Sequence, residues 1–399
     1  MAKKASNEVR GPVAKQQPAT LNKKQIARGR KQARQLRIIW LSVGAVVLIV
    51  LGVLAFAVIR ELIVVPRAPV ATVNGQEVSL KDFQPLLTYR RFRLHDNILA
   101  LNSQLQQMDT TSEDNQFLVQ FYQQQLQQLE SMLATAPDSA LDELIEDELI
   151  QAKAAEAGLT VTSAEVSTFL NEQLAASVTS ASPLTDTQGI TVTPTAIPQA
   201  TLDENYSQML TAMQLSDSDF RGMIGRSLVR TKVQDLLASQ VPTTGLVAQV
   251  QMIQIDVTPT ITAALETVTT TLRRVESGED FATVAKEVST LTDVETNGGD
   301  LGWQAAGMLS SRYGTAVETL ALTLNPGQVA RAESNGRYYI IRVADRNENG
   351  VLPEEALTIL RDSALTDWLE EQKTTADIKR LLTESQIPPD SFDVTQSTG

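Results

Sequence analysis

Cysteine is absent from the 399 residues, which removes disulfide frameworks and thiolate metal sites together. Histidine occurs once, at His95, so imidazole clusters and Ser-His or Cys-His catalytic pairs are excluded as well. His95 stands in a polar helical stretch with no partner constellation around it and reads as a surface or helix-face residue. Aromatic residues make up only 5% of the chain. None falls within the basic residues 1–37, which argues against a tail that stacks nucleic-acid bases. No metal, no cofactor and no nucleic-acid partner is expected.

Charge is unevenly spread. Residues 1–37 hold 11 Lys and Arg against Glu8 alone, which leaves 23 basic and 46 acidic residues for the rest of a chain of net charge −13. From Ile38 to Ile59 run 22 residues without a charge, with Trp40 near one end. At about 1.5 Å per residue such a run spans a bilayer core of about 30 Å. The basic excess before it predicts a cytoplasmic tail (1–37) and a single uncleaved transmembrane anchor (38–59). The lipid bilayer is then a partner, and the bulk of the chain lies outside the cytoplasm.

The 42% apolar content is enough for two or three cores. Asn74-Gly75 between short apolar runs marks a hairpin, and Ser79 followed by Asp82 starts a helix. Residues 86–134 read as Gln-rich helix with a broken apolar stripe that includes Leu99, Phe117 and Phe121. Residues 138–158 form the cleanest helix, and its acids Asp142, Glu143, Glu146, Asp147 and Glu148 read as a solvated face. Residues 177–200 collapse into Ser, Thr, Pro, Ala and Gln and read as a disordered loop. Helices resume at 203–213 and 219–239, and Val241 to Gly245 marks a boundary.

Beyond it the order reads β-α-α-β-α-β. Val247–Val257 is a strand, 261–277 a helix, and Phe281, Val284, Ala285 and Val288 make the apolar face of a second helix. The Asn297-Gly298-Gly299 turn leads into Leu301 and Trp303. Tyr313–Leu322 is a short helix, Asn325–Gln328 a turn and Gly336–Ala344 a closing strand. Residues 353–387 carry an amphipathic helix, and 388–399 read as a frayed tail.

The stretches GEDFATVAKEVS, NGGDLGW, LNPGQV and RYYIIRV, in that order, resemble the parvulin (PpiC-like) family of peptidyl-prolyl isomerases over residues 246–346. VNGQEVSLKDF and LIEDELIQAKAAEAGLTVTSAEV resemble the N-terminal domain of extracytoplasmic chaperones of the SurA, PrsA and PpiD kind, here residues 66–242. The resemblance implies an α+β chain: an N-terminal membrane helix, a mainly helical chaperone domain, a four-stranded parvulin-like β/α domain and a C-terminal helix that packs on the chaperone domain. It implies cis-trans isomerisation of X-Pro bonds in exported, unfolded polypeptides.

Carried over residue by residue, the resemblance puts Leu301, Leu309 and Tyr313 in the slot that grips the proline ring. The family's two histidines fall at Gln251 and Tyr339, which remain able to hydrogen-bond each other and the substrate. Its Cys or Asp falls at Leu291 or Asp293. With both histidines replaced, the alternative is a non-catalytic holdase whose parvulin fold only binds unfolded segments.

Overall fold

Asn74 and Gly75 both take positive φ, 51° and 85°, and close a two-residue hairpin between β1 (Pro69–Val73) and β2 (Gln76–Ser79), with Val73 opposite Gln76. The computed structural model describes residues 68–108, 115–181, 198–258 and 260–392, with backbone alone for 177–181. Within them the chain is α+β.

The Ser79 hydroxyl accepts the Asp82 amide at 3.3 Å and starts α1 (Leu80–Gln107). Five further helices follow: α2 (Gln116–Ala134), α3 (Ala136–Glu156), α4 (Ser163–Ala181), α5 (Gln199–Met213) and α6 (Asp217–Ser239). Helix α4 starts on a reciprocal cap, in which the Glu165 carboxylate takes the Thr162 amide at 2.7 Å and the Thr162 hydroxyl takes the Glu165 amide at 3.3 Å. The core of this layer comes from Phe83 and Leu87 of α1 and Leu141, Leu144, Ile145 and Ile150 of α3.

Three sequence expectations are corrected here. Asp147 is buried rather than solvated, because α6 brings Arg230 to its carboxylate at 3.0 Å and Arg226 to 3.6 Å. Burial pushes the Asp147 carboxyl up, with Arg230 opposing. Of the stretch 177–200 expected as a disordered loop, 177–181 belong to α4 and 199–200 to α5; residues 182–197 lie outside the described residues. His95 is buried at 7% exposure, its Nε2 2.9 Å from Asp390 Oδ2, a partner 295 positions away that no local pattern announces.

Strand β3 (Thr244–Asp256) lies at the centre of a four-stranded antiparallel sheet of order β4-β3-β6-β5, with β4 (Asp300–Gln304), β5 (Val329–Ser334) and β6 (Arg337–Val351). β5, the fourth strand that the resemblance implied, forms a hairpin with β6 in which Ser334 faces Arg337. Helices α7 (Ile261–Glu276) and α8 (Phe281–Val288) cover one face, and α10 (Ser310–Tyr313) and α11 (Thr315–Thr323) cover the other. The short α9 (Val294–Asn297) leads into Gly298-Gly299. At Gly299 (φ 80°) a Cβ would lie 2.5 Å from the Met252 carbonyl oxygen, so only glycine lets this turn press against β3.

After β6 the chain returns. Helix α12 (Glu354–Thr375) packs on α6 and α3, with Lys373 Nζ 2.6 Å from Glu146. β7 (Ile378–Arg380) then pairs antiparallel with β1, which makes a three-stranded sheet of order β2-β1-β7. Pro388–Phe392, expected to be frayed, lies against α1; residues 393–399 lie outside the described residues.

The expected fold is also corrected in its membrane-spanning part. Among the described residues no helix is long and apolar enough to cross a membrane. The longest, α1, carries Lys81, Asp82, Arg90, Arg91, Arg93 and Asp96 along its length. The segment 38–59 to which the span was assigned lies outside the described residues.

Candidate functional site

Side chains alternate along β3 and β6, so residue parity decides which face each one serves. Ile253, Ile255, Tyr338 and Ile340 join Val268, Phe281 and Val284 under α7 and α8. Val250, Met252, Tyr339, Ile341 and Val343 join Leu309, Val317 and Ala321 on the opposite face. Leu301, Tyr313 and Leu291 pack on this second cluster while staying only half-buried. The rings of Tyr313 and Tyr339 meet edge to face with centroids 5.8 Å apart, and the Arg312 guanidinium sits 6.0 Å from the Tyr313 ring centre.

The structure therefore brings together Leu301, Leu309, Tyr313 and Tyr339. It separates the other two candidates from them. Gln251 stands opposite Arg342, whose Nη1 donates to its Oε1 at 3.4 Å, on the α7/α8 face. The residue across from Tyr339 is Gln254, so the Gln251–Tyr339 hydrogen bond foreseen from sequence is replaced by a different polar neighbour. Asp293 is exposed at the start of α9, where its carbonyl accepts the Thr296 and Asn297 amides. Leu291, the other position that the sequence left open, is the one that packs by the slot.

Sequence reasoning missed the polar end of this face. Gln254 Nε2 donates to Thr290 Oγ1 at 3.0 Å and to Asp256 Oδ1 at 3.3 Å, and Arg337 Nε donates to the same Asp256 oxygen at 2.8 Å. Burial pushes the Tyr339 phenol above its ordinary range; Arg337 pulls the other way, and Tyr313 and Asp256 add to the rise. The hydroxyl therefore stays protonated, able to donate, through neutral and mildly alkaline pH.

Two further groups hold the slot in place. Glu318 of α11 accepts three backbone amides, Gly307 through Oε1 at 3.0 Å and Leu309 and Ser310 through Oε2 at 2.9 Å each. One carboxylate thus fixes the turn that delivers Leu309 and starts α10. Gln304, itself buried, donates Nε2 to the Leu301 carbonyl at 2.5 Å. The single charged residue of its helix sequence, TAVETLALT, was the one available signal for Glu318.

The arrangement is an apolar cluster in which Leu309 and Tyr339 are buried and Leu301 and Tyr313 half-buried, with Gln254 across from Tyr339. It has the means to hold a small apolar ring and to hydrogen-bond a neighbouring carbonyl.

Comparison with known proteins gives two family matches. The SurA-like N-terminal domain family matches residues 34–189, and the PPIC-type PPIASE domain family matches residues 236–347. The chain is similar to a foldase protein PrsA of Clostridium kluyveri, 36% identical over 102 residues that make 25% of this chain and 28% of that one. It is also similar to a periplasmic chaperone PpiD of Haemophilus ducreyi, 33% identical over 95 residues, 23% of this chain and 15% of that one. These matches span less than a third of either relative's length. A solved peptidylprolyl isomerase (PrsA) from Bacillus anthracis aligns at 18% identity over 58% of this chain and 88% of that chain, with a TM-score of 0.29.

Proposed function

We propose that this chain, which joins a SurA-like N-terminal domain to a PPIC-type, or parvulin, peptidyl-prolyl isomerase domain, assists the folding of exported polypeptides outside the cytoplasm by isomerising their X-Pro bonds. The observation that carries the reading is the convergence of Leu301, Leu309, Tyr313 and Tyr339 on one sheet face. Rotation about a peptide bond faces a barrier of about 18–20 kcal/mol, and uncatalysed X-Pro exchange takes about tens to hundreds of seconds. No nucleophile is required. A site accelerates the rotation by binding the twisted amide better than either planar form.

In this reading Leu301, Leu309 and Tyr313 grip the proline ring while Tyr339 and Gln254 follow the moving carbonyl. Gln251 and Asp293 stand apart from that pair of groups, so in this reading the donor role falls to Tyr339, one of the two positions matched to the family's histidines, and to Gln254, which was not. The test is a proline-limited refolding assay with the chain beside Leu309→Ala/Tyr313→Ala. The chain accelerates the slow phase, and the double variant loses about tenfold or more of that rate, which corresponds to about 1.4 kcal/mol or more of transition-state binding. An unaccelerated slow phase sinks the isomerase reading.

A second reading has its own support. Helix α2 exposes Phe117, Leu118, Phe121 and Met132, with Phe117 at 75% exposure, and Leu99 of α1 is exposed too. A groove of about 330 Å³ opens among α1, α2 and α3, lined by Leu86, Tyr89, Leu94 and Met132. Exposed apolar surface of this kind suits the capture of unfolded segments. Suppression of client aggregation without any effect on the slow phase selects the holdase.

A further inference from the structure

The seat of residues 388–392 on α1 is built like a peptide-binding site. Arg91 Nη1 donates to the Pro388 carbonyl at 2.7 Å, and Arg91 Nε lies 3.9 Å from Asp390 Oδ2. His95 Nε2 meets the same carboxylate oxygen at 2.9 Å. Phe392 is held edge-on to Phe92, centroids 5.6 Å apart, and tilted against the His95 ring at 6.1 Å. One side thus supplies a backbone-carbonyl donor, a carboxylate site and an aromatic wall. The other side is a Pro-Pro-Asp-Ser-Phe segment outside helix or strand, in which the Phe392 amide donates to Asp390 Oδ1 at 3.1 Å.

Two observations separate this seat from ordinary packing. The Arg91 and His95 side chains are 11% and 9% exposed, whereas Asp390 keeps 31%. Residues 388–392 lie outermost, and Arg91 and His95 are covered beneath them. Arg91 Nε and His95 Nδ1 are also buried without a hydrogen-bond partner among the described residues, so the floor offers more polar capacity than this occupant uses.

We propose that Arg91, Phe92 and His95 form a binding site for proline-containing segments that carry an acid followed by an aromatic, and that Pro388–Phe392 occupies it in cis as a competing ligand. This goes beyond the isomerase reading and does not depend on it. A tethered segment acts at an effective concentration of about millimolar, so it excludes weak trans ligands and yields to stronger or more abundant ones. The apparent affinity of the intact chain for a free peptide is reduced by the fraction of time that the seat stands open.

The probe is the fluorescently labelled peptide Ile-Pro-Pro-Asp-Ser-Phe, followed by anisotropy against the full chain and against Asp390→Ala/Phe392→Ala. The double variant binds it about tenfold or more tightly than the intact chain does, and adding Arg91→Ala to that variant abolishes the gain. Equal binding by both chains, no binding by the double variant, or indifference to Arg91→Ala overturns the proposal. Where the double variant fails to fold by circular dichroism, Ser391→Trp in the otherwise intact chain decides. Excess unlabelled peptide shifts the added tryptophan's emission when the seat exchanges, and an unmoved spectrum shows a tail that belongs permanently to the fold.

Discussion

On one face of the four-stranded sheet, α7 and α8 lay Val268, Val275, Phe281 and Val284 over Ile253, Ile255 and Ile340, each at 7% exposure or less. On the other, the cover is two short helices and a turn tied down by Glu318, and the cluster ends in the half-buried Tyr313 and Leu301, with Tyr313 against Tyr339 and Tyr339 across from Gln254. The first face spends its apolar area on stability. The second keeps an aromatic edge accessible and puts hydrogen-bond donors beside it. One sheet thus separates the two tasks by residue parity alone.

The largest effect expected from this difference is on the sealed face. Phe281 is 1% exposed, so Phe281→Ala removes a ring from a site that cannot collapse around the gap. Denaturant unfolding should lose about 3–5 kcal/mol, with the refolding-assay rate per folded molecule unchanged. A loss of catalysis that exceeds the unfolded fraction would mean that the two faces are coupled.

Next comes Glu318. Glu318→Ala strips the acceptor from the Gly307, Leu309 and Ser310 amides at once. Leaving such donors unpaired costs about 1–3 kcal/mol. The slot should suffer beyond that: KM for a proline peptide rises while kcat falls by a smaller factor, and Glu318→Gln, which keeps a carbonyl acceptor, restores part of both. Identical losses in the Ala and Gln variants would remove Glu318 as a positioning residue.

How far these assignments were visible in the sequence follows from how local their causes are. Asn74-Gly75, Ser79 with Asp82, and Gly298-Gly299 carry their reasons within a few residues, and each forms where its chemistry pointed. The parity of β3 was not legible. Val250-Gln251-Met252-Ile253-Gln254-Ile255 is covered on both faces, so apolar residues appear at odd and even positions alike and no alternation marks the slot. A one-residue change of register moves every side chain to the other face. β7, three residues ending in Lys379 and Arg380, and the His95–Asp390 contact depend on partners about 300 positions away. Nothing local encodes them.

Parity along β3 sets Gln254 and Gln251 on opposite faces of the sheet. Gln254→Ala removes the amide opposite Tyr339 and should lower the isomerase rate about tenfold, the cost of one hydrogen bond strengthened in the transition state. Gln251→Ala, which loses only a contact to Arg342 on the sealed side, should leave the rate within about twofold. The reverse order of effects would reinstate Gln251 and overturn the placement of the polar groups.

The smallest effect concerns Tyr339 itself. Its folded pKa is raised, first by burial, above the ordinary tyrosine value of about 10. A group whose pKa is higher in the folded state than in the unfolded state favours folding while it is protonated. That contribution is fully present below the unfolded tyrosine value and is lost as pH rises through the folded one. At neutral pH, Tyr339→Phe should therefore cost no more than about 1 kcal/mol, the net worth of a single hydrogen bond. Above about pH 10 the two chains should converge, because the intact protein loses the tyrosine contribution that the variant never had. Melting temperatures measured from pH 8 upward follow that convergence. Parallel curves across the alkaline range would mean that the hydroxyl is solvated, and the donor role at the slot would then pass from Tyr339 to Gln254 alone.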